Sequence, residues 1–210
     1  INKGAARPQR IEVIERTERS LIAEFPTAPN GYEGLLSLAY YSDDSKGHSL
    51  VKEIITMAGA PDFIKSQAKH LDEQYSLIDI SLEDLLPELL ARVHSERGGK
   101  QGEIVIYAWS AESKASLACA EFIYNRAPDG VFIVGVNIDT VKNPQDSTTP
   151  PGTHIYDTTG EIRNRLKWES APQVYIVDSE GKIRSVSGMK EISREWTKNP
   201  NRARGTEGQK

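Results

Sequence analysis

The chain has 210 residues and a formal net charge of −4, with 38% hydrophobic and 27% charged residues, three Trp and eight Tyr. This length suits one ordinary domain with a smaller companion, and the composition can bury a core. The mild acidity argues against a nucleic-acid partner, whose phosphates call for a basic surface, and no apolar run approaches the roughly 20 residues that cross a bilayer.

Cys119 is the only cysteine. No internal disulfide can form, and cysteine pairing says nothing of the compartment. Because the chain opens at Ile1, an N-terminal segment, with any signal or anchor it carried, is expected to have been removed.

The first ten residues are polar and basic and read as a loose arm. Ile11, Ile14, Leu21 and Phe25 then recur at helical spacing and give one apolar stripe, which Pro26 and Pro29 close. Three more helices follow, over 32–41, 49–61 and 61–75, the last with Pro61 near its start, where a missing N–H matters little. The period changes at 75–81, YSLIDIS, which alternates like a strand. A helix is expected over 81–96, with Ser81 as N-cap and Asp84 three residues on. Residues 96–103 form a turn.

Beyond it EIVIYAW, 103–109, reads as a buried strand, 113–127 as a helix and GVFIVGVNID, 130–139, as a second buried strand. Apolar runs on both sides of a helix mark a βαβ unit with a parallel pair. A long polar loop over 142–152 and a helix over 158–168 come next. QVYIVDSEGKIRSVSG reads as a hairpin turning at SEGK, followed by a helix over 189–196 and a polar, disordered tail. The expected domains are a helical N-terminal region, 1–75, an α/β domain, 76–198, and the tail, 199–210.

The order βαβ–α–ββ–α is that of the thioredoxin-like fold, and three stretches carry the resemblance. GEIVIYAWSAESKASLACAEF resembles the strand, active-site turn and helix of extracytoplasmic thiol–disulfide oxidoreductases of the TlpA/ResA type, whose pattern runs Phe-Trp-Ala-x-Trp-Cys-x-x-Cys. GVFIVGVNIDT is similar to their second strand, and LKWESAPQVYIVDSEGKIRSVSG to the stretch with their cis-proline. The resemblance covers about residues 100–195. It aligns Trp109 with the first Trp of the motif, puts Glu112 in place of the second, and sets Ser113 and Ser116 on the two cysteines. It further implies a cis bond before Pro172 and a periplasmic or cell-surface location.

The departures bear directly on function. Disulfide exchange needs a thiolate that attacks and a second thiol that resolves the mixed intermediate. A serine hydroxyl does neither. Ser113 reads as an N-cap or first-turn residue, and Ser116 as a small first-turn residue. Cys119, three positions after Ser116, shares its helix face; it is either a small buried apolar side chain or a reactive thiol one turn below the former active site. In the resembled fold Ala171 and Pro172 face the 113–116 turn, where the backbone before the proline can pair with an extended peptide. Trp109 and Trp168 either flank that surface or pack in the core. The four His show no metal-ligand spacing, and neither a metal nor another cofactor is expected.

Two functions follow from different classes. The first is a redox-inactive thioredoxin-like domain binding a peptide or protein partner through Trp109, Glu112, Ala171 and Pro172. The alternative is a thiol–disulfide oxidoreductase, its cysteines replaced by serine in this chain or its chemistry moved to an exposed, acidic Cys119 working with an outside thiol. A purely structural domain of a larger assembly is a third.

Overall fold

The computed structural model describes residues 7–98, 102–139 and 149–196. The expected tail, 199–210, lies outside the described residues. So do residues 1–6 of the expected arm, 99–101 of the turn and 140–148, which hold most of the polar loop. The chain divides into two compact units, residues 1–76 and 77–210.

The first unit is four helices: α1 (Arg7–Glu24), α2 (Pro29–Tyr41), α3 (Asp44–Thr56) and α4 (Asp62–Tyr75). Helix α1 already begins at Arg7, inside the segment read as an arm. Pro29 opens α2 in its first turn, where its missing N–H is harmless. Asp43 caps α3 by accepting from the Lys46 N–H at 2.9 Å. Leu35, Leu38, Val51, Ile54, Ile64 and Ala68 fill the core. Two tyrosines lock it with donated hydrogen bonds, Tyr32 to the Pro26 carbonyl at 2.8 Å and Tyr75 to the Ala39 carbonyl at 3.2 Å. Helices α1 and α2 meet closely at Gly31, where a Cβ would lie 2.7 Å from Ile22. The α1 stripe is not what packs there: Ile14 and Leu21 remain exposed, as does Phe25 beyond the helix.

The second unit contains α5 (Leu82–Leu85), α6 (Pro87–Arg97), β1 (Ile104–Trp109), α7 (Lys114–Arg126), β2 (Phe132–Asn137), β3 (Thr153–Tyr156), α8 (Glu161–Arg165), β4 (Gln173–Val177), β5 (Ile183–Ser185) and α9 (Gly188–Glu195). The sheet order is β3-β2-β1-β4-β5. Strands β1, β2 and β3 run parallel, and β4 and β5 are antiparallel to their neighbours. All six residues of β1 are buried, because helices cover both faces of the sheet. Ile104, Ile106 and Ala108 pack with Leu82, Leu89 and Val93 of α5 and α6. Val105, Tyr107 and Trp109 pack with Cys119, Ala120 and Ile123 of α7 and Ile192 of α9.

Three expectations are corrected. Residues 75–81 are no strand: Tyr75 ends α4, a turn follows, and Asp79 sits at φ 68°, off the extended backbone. The segment still meets the β4–β5 hairpin through Asp79 N–H to the Ile183 carbonyl (2.8 Å), Ile183 N–H to the Ile80 carbonyl (3.0 Å) and an isolated Ser81–Lys182 bridge. The helix over 81–96 is two, because Pro87 drives Leu86 out of helical geometry to φ −146°. Ser81 caps the first by accepting from the Glu83 N–H. The helix over 158–168 shrinks to the five residues of α8, and Lys167 at φ 56° turns the chain just past it. Strand β3 had no counterpart in the expected elements.

Candidate functional site

The site forms where β1 leaves the sheet and α7 begins. The turn 110–113 closes on a Ser113 N–H bond to the Ser110 carbonyl at 3.2 Å. Ser113 is the N-cap of α7, its Oγ accepting from the Ser116 N–H at 3.2 Å. Ser116 is fully buried. Its Oγ accepts from the Ser110 N–H at 3.0 Å and lies within donating reach of the Ser113 and Ser110 carbonyls at 2.9 and 3.0 Å.

A carboxylate from the end of β2 completes the turn. Asp139 Oδ2 accepts from the Ala111 N–H at 2.9 Å and from Asn137 Nδ2 at 3.0 Å, while the Asp139 N–H donates to Asn137 Oδ1 at 3.1 Å. Burial works against its ionisation, but the hydrogen bonds from Ser110, Ala111 and Asn137 outweigh it and hold the carboxyl below the usual range. The Glu112 N–H donates to Ser110 Oγ at 3.2 Å. Thus the backbone N–H groups of residues 110, 111, 112 and 113 all have partners, two within the turn, one on Ser116 and one on Asp139. The start of α7 is knitted by hydroxyls and one carboxylate, and every described partner of the Ser113 and Ser116 side chains is a backbone group. Among the described residues neither serine meets a general base that would make it a nucleophile.

Across the turn lies the loop entering β4. The Ala171–Pro172 peptide bond is cis. Ser113 Oγ points at the Ala171 carbonyl across 3.5 Å, a long contact. Ala171, Pro172 and Ser113 are half-buried and Glu112 is exposed.

Trp109 is 2% exposed, set edge-on to His154 and Tyr156 on the α7 face of the sheet. The expectation that its ring flanks a binding surface is corrected: as the last residue of β1 it points into the core. Trp168 is likewise buried, edge-on to Tyr175.

Cys119 lies one turn deeper on α7 at 7% exposure, its Sγ 3.5 Å from Sδ of Met189. Burial pushes its thiol up to about 11. An attacking monothiol needs the opposite, exposure and a depressed pKa. Ser110, Asn137 and Asp139 form the part of the site that sequence reasoning missed. Their only signal was the Asn-x-Asp at the end of the second apolar run. Among the described residues, no group of three or more His, Cys, Asp or Glu is placed to hold a metal, and no helix is long and apolar enough to cross a membrane.

No family model and no curated protein matches the chain. Among solved structures it is similar to a thioredoxin-like protein from Bacteroides caccae at 10% identity, over 88% of this chain and 78% of that one, with a TM-score of 0.50. It also resembles StoA from Bacillus subtilis (17% identity, 45% of this chain, 84% of that one, TM-score 0.37). A secreted Mycobacterium tuberculosis disulfide oxidoreductase is a third (16%, 48%, 85%, TM-score 0.38). The first of these likenesses spans most of both chains and establishes the fold as thioredoxin-like.

Proposed function

We propose that the chain carries a redox-inactive thioredoxin-like domain that binds an extended peptide or protein segment across Ser113, Glu112, Ala171 and Pro172. The observation that carries this reading is the approach of Ser113 to the Ala171 carbonyl, which sets a turn with Glu112 exposed near the half-buried residues at the start of β4. An extended chain laid beside Ala171 would find main-chain groups to pair with, as in strand addition, and this mode needs no thiol. The turn supports the reading: its hydroxyls and the Asp139 carboxylate hold its backbone N–H groups in place. In this reading residues 1–75 are a helical companion, 76–198 the binding domain and 199–210 a tail, and the protein works in the periplasm or at the cell surface.

The oxidoreductase alternative gains nothing from Cys119, which is buried and hard to ionise. The test is binding of a reduced, alkylated and therefore permanently unfolded polypeptide, followed by fluorescence anisotropy. The expected Kd is about micromolar. Reversing the exposed charge with Glu112→Lys is expected to change Kd at least about fivefold at low salt, without changing Tm. Absence of binding at about 100 μM polypeptide overturns the proposal.

A further inference from the structure

The chain has two methionines, and one of them rests on its cysteine. Met189 lies in the first turn of α9 and packs on the apolar cluster that holds Trp109, Cys119 and Ile123. The Cys119 thiol donates to its sulfur, with Sγ 3.5 Å from Sδ. Cys119 is buried, whereas Met189 is half-buried and the more open of the pair to solvent.

The two sulfurs differ in chemistry as well as in access. A thiol is oxidised through its thiolate, and burial raises the Cys119 thiol to about 11, so little thiolate forms. A thioether needs no deprotonation. Its lone pair attacks one oxygen of hydrogen peroxide, the O–O bond breaks, and the departing hydroxide takes up the proton of the transferred oxygen and leaves as water. Sulfur loses two electrons and the peroxide gains them. Attack from either face of the thioether gives a different sulfoxide epimer. The Cys119 S–H occupies one face of Sδ, so oxygen adds from the other.

The product undoes the contact that directs it. Electron density moves from sulfur to the new oxygen, so the Cys119 S–H faces a poorer acceptor. An apolar side chain of the cluster has also become polar. We infer that Met189 is a peroxide-modified site, oxidised on the face away from Cys119, and that its sulfoxide unmasks the Cys119 thiol. The seam between α7 and α9 is then a redox-responsive joint, reset by a reductase specific for that epimer.

The test uses the full chain with Met57→Leu, a volume-conserving change that leaves Met189 as the sole methionine. Partial oxidation of the folded protein with millimolar hydrogen peroxide is expected to add one oxygen, mapped to Met189 by peptide digestion. The two epimer-specific methionine sulfoxide reductases are then applied to the unfolded product; one is expected to remove nearly all of the oxygen and the other nearly none. Iodoacetamide is expected to label Cys119 at least about tenfold faster in oxidised than in unoxidised molecules of the same folded sample, the two told apart by intact mass. Adding Met189→Leu is expected to make labelling slow with and without peroxide. Oxidation of Met189 only after unfolding, a product that both reductases clear in comparable shares, equal labelling of oxidised and unoxidised molecules, or a peroxide effect that survives Met189→Leu overturns the inference.

Discussion

Alkylation of Cys119 separates the two functional classes, and its rate can be worked out beforehand. With the thiol raised to about 11, roughly one molecule in a thousand carries the thiolate at pH 8. An ordinary thiol at about 8.5 has roughly one in four, a deficit of about 250-fold. A more basic thiolate is a better nucleophile, which returns about tenfold over this interval. Scarcity of thiolate alone therefore leaves labelling about 20-fold slower than that of a cysteine peptide. Burial at 7% exposure slows it further, because the reagent reaches Sγ only when α7 and α9 part. The assay is iodoacetamide labelling of the native protein between pH 7 and 10, read by mass, with a guanidinium-unfolded control. The expected result is slow labelling that reaches the peptide rate only on unfolding. Labelling at the peptide rate, with an apparent pKa at or below about 8.5, would refute the burial argument and reopen monothiol chemistry.

Three other outcomes follow from the site. Ser116→Ala removes the acceptor of the Ser110 N–H and the donor to two carbonyls in a fully buried position; it is expected to cost about 1–3 kcal/mol and lower Tm by about 3–8 °C in thermal melts. Ser113→Cys/Ser116→Cys puts thiols at the N-cap and in the first turn, three residues apart; air oxidation is expected to close an internal disulfide, seen by mass as a loss of about 2 Da. Stability should also depend on acid in two windows. Burial holds His154 below its ordinary pKa against the opposing Pro150 and Pro151 carbonyls, so the unfolded chain binds that proton first and stability falls as pH drops below about 6.5. The depressed Asp139 carboxyl stabilises above its unfolded pKa and loses that contribution as pH falls below about 4. Denaturant midpoints against pH for the parent and for Asp139→Asn check the lower window, where the variant should fall less steeply, Glu15, Glu53 and Glu96 still contributing their own depressed carboxyls.

The parts of the fold legible in the sequence are those where burial leaves a strong pattern. β1 and β2 are continuous apolar runs because both faces of the sheet are covered, and the hairpin turn at 178–182 is announced by SEGK. Weak burial leaves weak patterns. β3 is four residues at the sheet edge, and three of them are only half-buried. The alternation of Leu77 and Asp79 imitates a strand, although only Leu77 is buried and Asp79 turns the backbone. The break at Leu86–Pro87 was written in the sequence, yet the apolar spacing of Leu85, Leu86, Leu89 and Leu90 runs straight across it. At the site, the capping role of Ser113 follows from residue type. The tie from Asp139 to Ala111 does not, because it joins residues 28 positions apart.

The central claim is that a thioredoxin-like domain with serines at positions 113 and 116 offers a chain-binding patch. The measurement that meets it most directly is the amide chemical-shift map of the labelled protein on addition of the permanently unfolded polypeptide. Perturbations clustered on residues 110–113 and 171–173 are the result this account expects. No perturbation, or perturbations confined to residues away from both segments, would contradict it.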